Sequence, residues 1–292
     1  MPDSNSDNPS DSFPVLTWKV FIIEGFLFLL ALGLGIINSL KITRVLKIEK
    51  IEVVEFPFIQ FIVYFILATL SIFLLTRLIK FRKQKTIVFK LLFISTVFMG
   101  GVLMLSVWIL DFFALILMGF LIFWWIKWPS VFIQDLLMIL GIVGAGSVLG
   151  LNFAPEVVAG LLVVFSIYDI IAVYKTKHMV EIAKEMIKSH AVLGLVIPPD
   201  IVSFSSNLKE ITLGGRFMVL GAGDVVFPLL FSASLVPYGV LKSLIVALFS
   251  LIGLFAGFLF FISQKQRKAI PALPPIALFS IIGFLLVKLI FN

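Results

Sequence analysis

The chain contains no cysteine, only two histidines in 292 residues, and 13% charged residues. The lack of cysteine excludes a disulfide framework, a thiolate nucleophile and any cysteine-based metal site. His178 and His190 both fall in one polar stretch and no His-Glu-x-x-His occurs, which argues against a metalloprotease. Gly146-Ser147 could suggest a serine nucleophile, but no apolar segment holds a histidine to act as its base. The shortage of charge excludes an ordinary soluble domain, in which about a quarter of residues are charged. In place of charge the chain is 61% hydrophobic with 32 phenylalanines, and its mean hydropathy is +1.18. Apolar runs of about 20 residues recur along it, as in an all-α polytopic membrane protein.

Residues 1–14 are rich in Ser, Asp, Asn and Pro and read as a disordered tail. They lack the basic start of a signal peptide. Residues 15–292 read as one membrane domain of nine helices: 15–40, 56–79, 87–108, 111–126, 131–151, 157–174, 217–235, 238–263, and a ninth opened by Pro271 and running to 291. Trp128-Pro129 breaks the chain at an interface. The fifth span carries Gly141, Gly144, Ala145, Gly146 and Gly150, small residues that let helices approach closely. Residues 176–216 form the one long polar segment, with a short amphipathic helix over 181–190.

The net charge of +7 reads as topology rather than as nucleic-acid binding. Sixteen Lys and Arg follow the second, fourth, sixth and eighth spans, against four (Lys41, Arg44, Lys47, Lys50) in the other loops. The positive-inside rule then puts the N-terminus in the cytoplasm and the C-terminus outside.

Against this background two carboxylates stand out. Asp169 lies in the sixth predicted span after Tyr168, and Asp224 in the seventh after Gly221-Ala222-Gly223. An ionisable group in hydrocarbon costs about 2.5–3.5 kcal/mol on insertion scales, so it ordinarily has a partner and a task. Counted at helical rise from Lys175 and Arg216, both carboxylates fall roughly 9–12 Å below the cytoplasmic boundary. Two carboxylates at one depth can share a proton, one member acting as base toward water and the other as acid toward a peptide carbonyl. Gly221 and Gly223 leave room for another backbone beside Asp224, or serve helix packing. The remaining intramembrane acids read as interfacial: Glu24 near Lys19, Asp111 as a cap, and Asp135 one turn past Trp128-Pro129.

Tyr168-Asp169, Gly221-Ala222-Gly223-Asp224 and Pro271-Ala272-Leu273 occur in the order of three motifs. In these the chain resembles the presenilin and signal peptide peptidase family, as a microbial presenilin-like homologue, over nearly its whole length. The resemblance implies an intramembrane aspartyl protease with Asp169 and Asp224 as its catalytic dyad. It implies that Tyr168, Gly221, Ala222, Gly223, Pro271, Ala272 and Leu273 shape the site or bind substrate. Gln134-Asp135 is similar to a pair common in the signal peptide peptidase branch. The N-in orientation resembles presenilin, whereas the 176–216 segment is much shorter than the presenilin loop.

Neither metal nor cofactor is implied. The substrates implied are single-span membrane proteins or signal and leader peptides, cut within the lipid bilayer. The location implied is an integral, multi-pass one, in the cell membrane if the source is prokaryotic. Unwound substrate would need strand-like pairing, for which residues 212–215 and 271–273 are candidates; Pro271 and Pro274 would hold the latter open, or simply start the ninth helix. The other reading of an intramembrane Asp pair is a proton- or cation-coupled transporter or a channel.

Overall fold

A computed structural model describes residues 18–50, scattered positions from 57 to 71, and residues 82–176, 178–212, 215–264 and 269–291. The predicted tail at 1–14 and most of the predicted second span lie outside the described residues, as do several of the basic positions counted for topology. The architecture is predominantly helical: α1 (Trp18–Glu49), α2 (Arg82–Ser106), α3 (Asp111–Lys127), α4 (Val131–Leu151), α5 (Pro155–Ile170, continued by a π-helical turn Ile171–Lys175) and α6 (His178–Lys188). There follow β1 (Gly194–Ile197), β2 (Met218–Gly221), α7 (Ala222–Leu235), α8 (Val240–Ile262) and α9 (Leu273–Phe291). Six helices among the described residues are long and apolar enough to cross a membrane. The 17 residues of α3 and the 14 of α7 fall short of that length.

Several boundaries depart from the sequence expectation; the third predicted span, for one, starts at Arg82 rather than 87. The first helix does not stop at residue 40 but runs on to Glu49. Residues 41–49 are charged yet contain neither Gly nor Pro, and nothing local ends a helix there. The seventh helix does not start at 217. Met218–Gly221 instead forms β2, antiparallel to β1, with Gly194 opposite Gly221 and Ile197 opposite Met218. A hydrogen bond from the Ala222 N–H to the Leu193 carbonyl closes the pairing at 3.2 Å. The apolar run 217–220 satisfies its backbone with a partner more than twenty residues away, which periodicity cannot reveal.

Small residues set the helix spacing on two faces of α4. Gly141 and Gly144 lie against the backbone of Gly100 on α2. Gly146 and Gly150 lie against α7: a Cβ at Gly146 would stand 2.7 Å from a Leu229 methyl, and one at Gly150 would stand 2.7 Å from the Leu230 carbonyl oxygen. Leu229 also fills the space over Gly35 of α1. Its side chain is fully buried and locks α7 between α1 and α4.

The helix pair α5 and α9 runs antiparallel. Lys288, in the last turn of α9, pairs with Glu156 in the first turn of α5 at 2.7 Å. At the other end the start of α9 meets the end of α5. Ser147 accepts from Asn38 Nδ2 at 2.7 Å and donates to the Val143 carbonyl. These bonds account for its burial without any catalytic task.

Overpacking a close helix contact costs about 1–3 kcal/mol or more. Gly150→Leu is therefore expected to lower the thermal midpoint of the detergent-solubilised protein by several degrees. Gly33→Ala, at a position where an added Cβ meets nothing within 4 Å, leaves the midpoint equal or higher. Paired thermal unfolding scans check both.

Candidate active site

Asp169 occupies the last turn of α5 and is 7% exposed. The helix changes to π geometry two residues later, a local widening often found at functional sites. Asp224 occupies the first turn of α7 rather than the middle of a helix as expected, because β2 takes the preceding residues. The carboxylate folds back against Gly221 at the start of the helix. An N-terminal turn, with its free N–H groups, suits a negative charge.

Phe165 and Phe227 bring the two turns together. Phe165 stands four residues before Asp169 and Phe227 three residues after Asp224. Their rings stack at 4.4 Å between centroids, so the two helix turns that carry the aspartates lie at one level. The Asp169 charge acts on Asp224 directly, and it acts on the half-buried Tyr168 phenol beside it.

Pro271-Ala272-Leu273 meets this pair from a third side. The helix α9 begins at Leu273, so Pro274 and Pro275 are helical residues of its first turn, and only Pro271-Ala272 stay outside it. The expectation that Pro274 holds the segment open is corrected accordingly: proline is compatible with a first turn, where N–H groups have no helical partner anyway. One of those orphan N–H groups is used. The Leu273 backbone donates to Asp169 Oδ2 at 3.4 Å. The Leu273 side chain is 4% exposed and packs in the apolar cluster of α5, α7 and α9.

The two glycines of the Gly-x-Gly-Asp stretch differ. A Cβ on Gly221 would stand 3.0 Å from Asp224 Oδ2, so the carboxylate occupies the space that a side chain would take. Gly223 is exposed, and a Cβ there would touch only the Phe227 ring at 3.6 Å. Ala222 is partly buried against the apolar core. Pro228 has no N–H, so the Asp224 carbonyl lacks its helical i+4 donor.

Of three polar residues read from sequence as interfacial, Glu24 and Asp135 are buried inside the protein and Asp111 does not act as a cap. Glu24 on α1 is 2% exposed, its Oε2 has no hydrogen-bond partner among the described residues, and it lies within reach of the Asp224 charge. Lys19, which suggested an interfacial pair, is exposed and forms no ion pair with it among the described residues. The rule that singled out Asp169, an acid in an apolar helix, applied equally to Glu24; the nearby lysine obscured it. Asp135 is 2% exposed and accepts from the Val196 N–H at 2.8 Å. Asp111 begins α3 but caps nothing, since the N-cap residue is Leu110 and makes no side-chain bond. Of the two stretches expected to offer a backbone edge, 212–215 lies partly outside the described residues, and the strand is formed instead by Met218–Gly221.

The two aspartates thus stand on separate helices whose turns are joined by the Phe165–Phe227 stack. Two solved structures of a presenilin family intramembrane aspartate protease, in C222 and P2 space groups, resemble this fold. The first has a TM-score of 0.59 at 21% identity, covering 91% of this chain and 97% of that one. The second has a TM-score of 0.58 at 22% identity, covering 91% and 96%. No curated protein sequence matches. The family model described as signal-peptide peptidase, presenilin aspartyl protease matches residues 19–292. A transporter or channel is not favoured, and the chain belongs to the signal-peptide peptidase and presenilin family of aspartyl proteases.

Proposed function

We propose that Asp169 and Asp224 are the water-activating pair of this intramembrane aspartyl protease, and that it hydrolyses peptide bonds within the membrane-spanning segments of its substrates. The observation that supports the assignment is the stacking of Phe165 on Phe227, which brings the helix turns bearing Asp169 and Asp224 to one level. Like charges so placed do not both ionise freely, so the pair holds one proton. The ionised member takes a proton from water as the oxygen attacks the scissile carbonyl carbon. The protonated member donates to the carbonyl oxygen. The resulting gem-diol collapses as a proton passes to the leaving nitrogen, and the C–N bond breaks. Neither a covalent intermediate nor a metal enters the sequence.

A helical peptide bond must unwind before water reaches it, and unwound backbone in hydrocarbon needs new hydrogen-bond partners. β2 is suited to provide them. One edge pairs with β1, and the strand leads through exposed Gly223 to Asp224. An extended substrate segment added to the other edge would pass beside the carboxylates. Pro271, Ala272 and Leu273 close the site from the opposite side, with the Leu273 N–H orienting Asp169. Tyr168 lines the same turn. The reading includes a nine-span chain with a cytoplasmic N-terminus, supported by the distribution of Lys and Arg, and single-span proteins or signal and leader peptides as substrates.

Replacement of Asp169 or Asp224 by Ala or Asn is expected to cut the cleavage of a single-span substrate by about 10²–10⁴-fold or more, with elution volume and thermal midpoint unchanged. A folded variant of either that cleaves at the wild-type rate would reject the assignment. The pH profile of kcat/KM is expected to be bell-shaped and unaltered by chelators, as checked on purified protein; inhibition by a chelator that added metal reverses would overturn the mechanism. Leu273→Ala trims the core but keeps the N–H, whereas Leu273→Pro removes the donor at a position that tolerates proline. Cleavage by the Pro variant is expected to fall about tenfold below that of the Ala variant, measured on protein matched for folding by thermal scan.

A further inference from the structure

The strand β1 has two edges, and the direction of its backbone groups distinguishes them. The Leu193 carbonyl faces β2, where it accepts from Ala222. The Val192 carbonyl and the Val196 N–H face the other way, because alternate residues of a strand present their backbone groups to opposite edges. There they meet α4. Gln134 Nε2 donates to the Val192 carbonyl at 2.6 Å, and Asp135 Oδ1 accepts from the Val196 N–H at 2.8 Å. Gln134 is itself fixed, since its Oε1 accepts from Trp125 Nε1 at 2.8 Å. All three side chains are buried. Two adjacent side chains of one helix thus complete the outer edge of the sheet, one as donor and one as acceptor.

This edge is rigidly linked to Asp224. Gly194 stands opposite Gly221, and a Cβ on Gly194 would clash with the Leu220 carbonyl, so the two strands lie as close as backbones can. Gly221 in turn lies directly against the Asp224 carboxylate, since a Cβ on it would stand 3.0 Å from Asp224 Oδ2. The chain of contact runs from α4 to β1, from β1 to β2, and from β2 to the carboxylate. Asp135 is a costly way to satisfy a single N–H. Its Oδ2 is buried with no partner among the described residues, and an unsatisfied buried oxygen is destabilising.

We propose that Gln134 and Asp135 are positioning residues of the catalytic pair, which hold β1 at both ends and thereby fix the place of Asp224 relative to Asp169. The inference rests on the dyad reading above. Neither side chain touches the reacting atoms; each acts through the strand. The carboxylate of Asp135 acts as a hydrogen-bond acceptor, a role that an amide oxygen can also fill.

The test uses the full chain in detergent with a single-span substrate, and measures kcat and KM separately together with amide exchange of the 192–197 segment. Asp135→Ala is expected to lower kcat at least about tenfold with KM within about twofold, since a misplacement of about 1 Å can cost 10²-fold, and to speed exchange in the segment. Asp135→Asn keeps the acceptor and is expected to recover kcat to within about threefold of wild type, with exchange slow again. Gln134→Met cuts the Val192 bond without touching the carboxylate, and gives the same lowered kcat and faster exchange where Asp135→Ala does not fold. Wild-type kcat in Asp135→Ala or in Gln134→Met overturns the inference. So does an Asn variant as inactive as the Ala variant with β1 still protected, because the carboxylate would then be needed for its charge. Asp169→Ala and Asp224→Ala are assayed in parallel: activity in either rejects the dyad itself, whereas their inactivity beside a normal Asp135→Ala rejects only the positioning role.

Discussion

Non-helical backbone at a membrane-embedded site has to find hydrogen bonds within the protein, because lipid provides none. Most of the molecule meets this condition trivially, as helices. The exceptions next to the aspartates are the strand before Asp224 and the Pro-Ala lead into α9. Each is satisfied by something brought from elsewhere in the chain. β2 has β1, β1 has Gln134 and Asp135, and the first free N–H of α9 has Asp169. The site is therefore an interruption of a helical bundle whose loose backbone groups have been assigned to one another.

The bundle around it is built for closeness rather than for polar adhesion. Gly141 and Gly144 admit α2 on one face of α4, and Gly146 and Gly150 admit α7 on the other. Leu229 fits over Gly35 and Gly146 one turn below the aspartate level. Apolar packing of this kind cannot be driven by the hydrophobic effect in lipid, so contact density itself supplies the attraction. α4 consequently has two tasks: its glycines seat α7, and its first turns grip β1 through Gln134 and Asp135. Both contacts act on the element that carries Asp224.

Charge is concentrated where the packing is tightest. Glu24 of α1 and Asp169 of α5 are buried carboxyl groups, and Glu24 lies within reach of the partly buried Asp224. Elsewhere the acids are used singly, as in the Glu156–Lys288 pair at the opposite end of α5 and α9. The antiparallel pair α5–α9 is thus tied at both ends, by an ion pair at one and by the Leu273–Asp169 bond at the other.

The sequence alone determined the helical membrane class, the limits of α4, α5 and α8 to within a few residues, and the singling out of Asp169 and Asp224. These follow from composition, from the length of apolar runs and from the cost of a charge in hydrocarbon, all of which are local. Three things were decided only by tertiary structure. Met218–Gly221 is a strand because Gly194–Ile197 lies beside it, although its run of apolar residues reads equally well as helix. Glu24 is buried within reach of the Asp224 charge because α1 packs on α7, although the sequence pairs it with Lys19. Asp135 grips a strand some sixty residues away. In each case the deciding partner is distant along the chain, and residue type and spacing hold no record of which distant backbone will come into reach.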